Sequence, residues 1–127
     1  MTEEQRRLAA LVFTDMVGYS STSERNEALA MRLLDAHNSI MRRVTQRHGG
    51  REVKTIGDAF LLEFQSALDA VRFSVDVQDE FRKFNLTTPA DEKVSVRIGV
   101  HIGDVINRDG DLQYLRMSLV RLIFSCR

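Results

Sequence analysis

Leu8 to Phe13 is an unbroken apolar run, Leu-Ala-Ala-Leu-Val-Phe. Continuous rather than alternating hydrophobicity predicts a central strand covered on both faces. Beyond it the spacing changes to threes and fours. Leu29, Leu33, Ala36, Ile40 and Val44 make one row, and Ala30, Leu34, His37 and Met41 make the adjoining row. That predicts an amphipathic helix from about Ser23 to His48, whole or broken in two. Ser21-x-x-Glu24 has the letters of its capping box, and Gly49-Gly50 those of its stop.

Two short runs rich in β-formers then flank Gly57-Asp58. Val53, Thr55 and Ile56 lead in, and Ala59, Phe60, Leu61, Leu62 and Phe64 lead out. This is a strand–turn–strand signal, with the turn type left open because the usual order is Asp-Gly or Asn-Gly. It places a carboxylate, Asp58, at the tip and a cation, Lys54, in an otherwise apolar strand. Ser66-x-x-Asp69 opens a second helix whose inner face runs through Ala67, Ala70, Val71, Ser74, Val77, Gln78, Phe81 and Phe84. Asn85 and Pro89 close it. Val94 to Gly103 then alternates cleanly, with Gly99, His101 and Gly103 on the polar face, so that face is expected to admit a close approach.

Strand, helix, strand, strand, helix, strand is the split β-α-β order of an α+β ferredoxin-like sandwich. Helices are expected on one face of the sheet, leaving the other for a partner or ligand. Leu112 to Arg127 does not fit the pattern. It is apolar with interspersed Arg116, Arg121 and Arg127, lacks caps and turn signals, and reads as either a helix or an edge strand.

Composition narrows the class. The chain has 127 residues, enough for one domain with a real core. Lys+Arg and Asp+Glu balance at 18 each, which argues against a nucleic-acid binder. Cys126 is alone, so no intrachain disulfide forms, and a reducing, cytoplasmic setting is expected. No apolar run approaches the roughly 20 residues that a membrane helix needs. Arg6-Arg7 before Leu8–Phe13 is a poor signal peptide, because Glu3 and Glu4 precede it and no cleavage site follows.

The candidate chemistry is acidic. Asp15 follows the apolar run directly, and a carboxylate at the end of a buried strand needs a partner. It either caps the next backbone turn or holds a cation. Asp58 is either a solvated turn residue or a ligand. His101 reads as an ordinary sheet-face residue, and His37 as a packed or solvated helix residue.

Three segments change that balance. Phe13-Thr-Asp15-Met-Val-Gly18-Tyr-Ser20, Gly50-Arg-Glu-Val-Lys54-Thr-Ile-Gly-Asp58-Ala-Phe60 and Arg97-Ile-Gly-Val-His101-Ile-Gly-Asp104-Val resemble, in order, the motifs of a class III nucleotidyl cyclase catalytic domain. The resemblance covers about residues 8–112. It implies conversion of a nucleoside triphosphate to the 3′,5′-cyclic monophosphate and pyrophosphate with two divalent cations, Mg²⁺ or Mn²⁺. The implied metal ligands are Asp15, Asp58 and the Met16 carbonyl. The amides of the Met16–Ser20 turn, with Val17, Gly18, Tyr19 and Ser20, would face the phosphates. Lys54 matches the adenine-reading lysine, which donates to N1, and Asp111 falls where the second reader accepts from the exocyclic amine. ATP is therefore expected over GTP. The family also implies a head-to-tail homodimer, one chain supplying the aspartates and the other the base readers.

The resemblance stops near Asp111. The family continues with a Gly-x-x-Val-Asn-x-x-x-Arg segment, whose Asn orients the ribose and whose Arg stabilises phosphate charge. Ser118 and Leu122 stand at those places. The expected division is an N-terminal part of the catalytic domain over 1–112 and a divergent tail over 113–127. The tail is expected to be a truncated or frameshifted reading, which makes this an incomplete cyclase domain, weak or inactive alone. The alternative is a non-catalytic regulatory or dimerisation module that keeps the fold.

Overall fold

The computed structural model describes the backbone of residues 5–108 and 111–125, and the side chains of residues 8–103. The elements run β1 (Gln5–Met16), α1 (Tyr19–Arg25), α2 (Glu27–Arg47), β2 (Arg51–Ile56), β3 (Ala59–Phe64), α3 (Ala67–Leu86), a 3₁₀ turn (Ala90–Glu92), β4 (Val96–Arg108) and β5 (Asp111–Ser125). The sheet order is β2-β3-β1-β4-β5, and every neighbouring pair is antiparallel. β3 lies between β1 and β2, and β1 between β3 and β4, so both helical crossovers skip a strand. This is the α+β ferredoxin-like sandwich, with β5 added at the β4 edge. The tail thus forms a strand rather than a helix; its side chains lie outside the described residues.

The helices cover one face of the sheet. Ala10, Val12 and Met16 of β1, Phe60, Leu62 and Phe64 of β3, and Val96, Ile98 and Val100 of β4 project into one cluster with Met41, Val44, Phe73, Val77 and Phe81. Both predicted rows of the long helix lie at or beside this core, and His37 is buried in it. Phe73, absent from the predicted inner face of α3, is fully buried against Phe64.

The caps explain the boundaries. Ser66 accepts from Asp69 N as its pattern predicts. Ser21 is no cap: it lies inside α1, and the break falls at Asn26, whose side chain accepts from Leu29 N to start α2. Asn26 is extended, with φ −154°, so one continuous helix is impossible there. At the other end of α2, Gly49 takes φ +68° and Gly50 N donates to Thr45 O. A Cβ on Gly50 would lie 2.5 Å from the Phe64 ring, so this glycine is needed for packing as well as for the turn. Asn85 clamps the chain entering β4, accepting from Val94 N and donating to Val94 O. Burial alone would raise the Asp76 carboxyl on α3, but hydrogen bonds from His48 and Arg47 outweigh it and hold it below the usual carboxylate range. They tie the end of α2 to α3.

Two expectations about the sheet are corrected. β2 is not an apolar strand but an outer one, exposed except at Val53. The register slips between Glu52 and Lys54, a bulge that turns Val53 inward. The face away from the helices is not bare either: Ala9, Leu11 and Leu61 are buried there with Val53 packed against them.

Candidate active site

β1 alternates, so Phe13 and Asp15 leave the sheet on the face opposite to Val12 and Met16. The hairpin brings Asp58 to the same corner. Ile56 pairs with Ala59, leaving Gly57 and Asp58 as a two-residue loop, and Gly57 takes φ +59°. A left-handed first loop residue is what the primed hairpin turns require, and glycine supplies it without strain. Asp58 Oδ2 then accepts from Met16 N at 2.7 Å, a charge-assisted bond that joins the hairpin tip to the end of β1. Residues 42 apart in sequence are thereby fixed, and the Asp58 carboxylate stands beside the residue that follows Asp15.

Asp15 has a partner that sequence reasoning missed. Arg97 stands directly opposite it in the β1–β4 ladder. Its Nε donates to Oδ1 at 2.9 Å and its Nη2 to Oδ2 at 3.3 Å. Arg97 was visible as a cation on the polar face of a strand, but its pairing depends on a register between strands 82 residues apart. Beyond this pair an open cleft of about 560 Å³ is lined by Phe13, Thr14, Asp15, Ala59, Phe60, Arg97, Ile98, Gly99 and His101. His101 stands edge-on to Phe13, with ring centroids 5.4 Å apart. The same imidazole covers Gly99, so the space at that glycine is filled from within the chain rather than open to a partner.

The turn after β1 is partly committed. Met16 N is used by Asp58, and Val17 N donates to Ser95 O at 2.9 Å. Those two amides therefore do not face a ligand, contrary to the expectation for the whole Met16–Ser20 turn. Gly18 takes φ +74° as the N-cap of α1, and the amides of Gly18, Tyr19 and Ser20 find no acceptor among the described residues. Tyr19 packs its ring against the main core.

Lys54 is not at this corner. It pairs with Leu61, which pairs with Phe13, so it shares their face two strands away from β1, about 10 Å by strand spacing. Asp111 opens β5 opposite Arg108, and its side chain lies outside the described residues. Ser118 and Leu122 lie within β5.

Beneath the corner, His37 is fully buried between the rings of Phe60 and Phe81. Its Nδ1–H donates to Asn38 Oδ1 at 2.9 Å, while Nε2 has no partner among the described residues. Burial lowers its pKa, against smaller raising effects from the Asn38 bond and the Asp58 charge.

Among the described residues no group of three or more His, Cys, Asp or Glu is placed to hold a metal. No helix of the described residues is long and apolar enough to cross a membrane.

Comparison with known proteins agrees with the fold. A protein of Rhizobium meliloti (strain 1021), provisionally named adenylate cyclase 3, is 38% identical over 109 residues, 85% of this chain and 19% of that protein. An adenylate/guanylate cyclase/hydrolase from Silicibacter pomeroyi is 34% identical with a TM-score of 0.77, over 87% of this chain and 65% of that one. A dimeric guanylyl cyclase domain from the aquatic fungus Blastocladiella emersonii is 26% identical with a TM-score of 0.67, over 84% of this chain and 63% of that one. The chain thus spans about a fifth of the bacterial relative's length and under two thirds of the two solved chains. The family model for the adenylate and guanylate cyclase catalytic domain matches residues 1–117, and the chain belongs to that family.

Proposed function

We propose that this domain is built to convert ATP to 3′,5′-cyclic AMP and pyrophosphate for intracellular signalling, using two divalent cations at the Asp15–Asp58 corner. The observation that supports this most is the bond from Met16 N to Asp58 Oδ2, which fixes the carboxylate at the hairpin tip beside the residue that follows Asp15. Asp15, Asp58 and the Met16 carbonyl form an all-oxygen donor set, the kind a hard divalent cation takes. The guanidinium already resting on Asp15 is a further sign that this corner accommodates positive charge. With few protein ligands, the remaining coordination falls to water and substrate phosphates, as is usual for Mg²⁺. When bound, the cations supply activation of the ribose 3′-hydroxyl and neutralisation of phosphate charge.

The chain's own groups orient the reactants. The 3′-oxygen bonds to the α-phosphorus, the bond to the pyrophosphate oxygen breaks, and the 3′-hydroxyl proton is released. The amides of Gly18, Tyr19 and Ser20 offer donors to phosphate oxygens, as backbone nests do. Lys54 donates to adenine N1 and Asp111 accepts from the exocyclic amine, a polarity that guanine does not match. By the family resemblance Lys54 serves the metal corner of a second chain in a head-to-tail homodimer, and its separation from β1 by one strand in the sheet is compatible with that.

A second reading, a non-catalytic regulatory or dimerisation module, is favoured by Ser118 and Leu122. Loss of one preorganised charge-stabilising donor costs roughly 10²–10³-fold in rate. Incubation of the purified chain with ATP and Mn²⁺, read as cyclic AMP, separates the two. The catalytic reading expects product that Asp58→Ala abolishes and that GTP competes for poorly. A folded chain that binds Mn²⁺ and ATP without forming product supports the module.

A further inference from the structure

The two aspartates differ in what already occupies them. Asp58 is engaged at one oxygen, by an uncharged amide. Asp15 is engaged at both oxygens, by a cation. We propose that Arg97 is a resident counter-cation of Asp15, so that binding of a divalent ion there and release of Arg97 are a single exchange. The inference rests on the metal reading of Asp15 and Asp58 above.

The ladder builds the fork in advance. Directly opposed residues on an antiparallel pair hold their Cβ atoms about 5 Å apart, so the two side chains need little ordering to meet. The planar guanidinium then covers both carboxylate oxygens at once. A divalent ion on the same carboxylate adds two positive charges within a few ångströms of that guanidinium, and charges of one sign that close repel. Ion and fork therefore compete. The contest is a light one, because the Arg97 and Asp15 side chains are 60% and 43% exposed and pairs of that kind are weak. A divalent ion has the charge to win it, whereas a monovalent ion offers Asp15 no more charge than Arg97 already does. Once displaced, Arg97 leaves its own positive charge at the cleft that Asp15 also lines.

The test is cation binding by the whole chain, without nucleotide. Free Mn²⁺ is followed by electron paramagnetic resonance for the wild type, Arg97→Met, Arg97→Lys and Asp58→Ala. In parallel the Arg97 Nε–H resonance is followed as Mg²⁺ is added, with Asp15→Asn marking its position when no fork can form. Arg97→Met is expected to tighten Mn²⁺ binding about two- to five-fold, the worth of one exposed ion pair. Arg97→Lys, which keeps the charge and loses the fork, should fall between the two. Mg²⁺ should move the wild-type resonance toward its position in Asp15→Asn. An unmoved resonance, an unchanged affinity in Arg97→Met, or an Arg97→Lys protein indistinguishable from wild type each overturns the exchange. If Mn²⁺ binding still depends on Asp58 in those cases, the metal reading stands without it. If the wild type and the Arg97 variants all fail to bind Mn²⁺, both readings fall.

Discussion

The two faces of the central sheet differ in kind. Toward the helices, Phe60, Phe64, Phe73 and Phe81 are all but fully buried in one cluster that spans three strands and two helices. On the opposite side the buried group is small, Ala9, Leu11 and Leu61, and toward the end of β1 it gives way to Phe13, Asp15 and Arg97, which are partly exposed. The first face has the close packing that makes a fold unique. The second leaves charged groups in reach of solvent, held by register and a few directed bonds. Close packing and exposed charge are thus kept apart by the alternation of side chains along β1: Val12 faces the core, and Phe13 and Asp15 line the cleft.

The sharpest way to break this contrast is to truncate one large ring on each side. Phe73→Ala should cost about 3–5 kcal/mol in urea unfolding, as expected for emptying a fully buried aromatic site. Phe13→Ala, on the open side, should cost well under half of that. Equal losses would mean that the far face carries as much packing as the near one. Next in size is Gly50→Ala. Its new methyl meets the buried Phe64 ring, and overpacking of this kind should remove about 1–3 kcal/mol in the same assay.

The smallest effect is the pH response of His37. Burial lowers its folded-state pKa below the ordinary 6.5, so the unfolded chain takes up its proton first as the medium is acidified. Stability from keeping this ring neutral is therefore complete above about pH 6.5 and declines below it, by at most about 1.4 kcal/mol per pH unit. His37→Phe should flatten unfolding free energies measured between pH 7 and 5. No flattening would show that the ring is not held neutral by its burial.

What could be read from the letters was local or periodic. The paired helical rows, the Ser66 cap, the Gly49-Gly50 stop and the two-residue hairpin each depend on residues close in sequence. The Ser21 cap failed because Asn26, five residues on, satisfied the same chemistry at a place where the backbone turns extended. The exposure of β2 was hidden because Val53, Thr55 and Ile56 have strand-forming side chains whether a strand is central or outermost. The site divides in the same way. Asp15 and Asp58 are singled out by their motifs as candidates, whereas the Arg97 fork and the loss of two turn amides follow from register and long-range bonds that no local spacing encodes.

The position of β2 at the rim of the sheet has a consequence for how such a domain changes over time. Arg51, Glu52 and Lys54 point away from any dense packing, and their charges discourage another chain from adding itself to that border. A strand with a neighbour on one side only can exchange its outward residues without disturbing the layers behind it. If Lys54 reads the base as proposed, that selectivity is open to revision by single substitutions, while the corner at Asp15, in the middle of the sheet, is not.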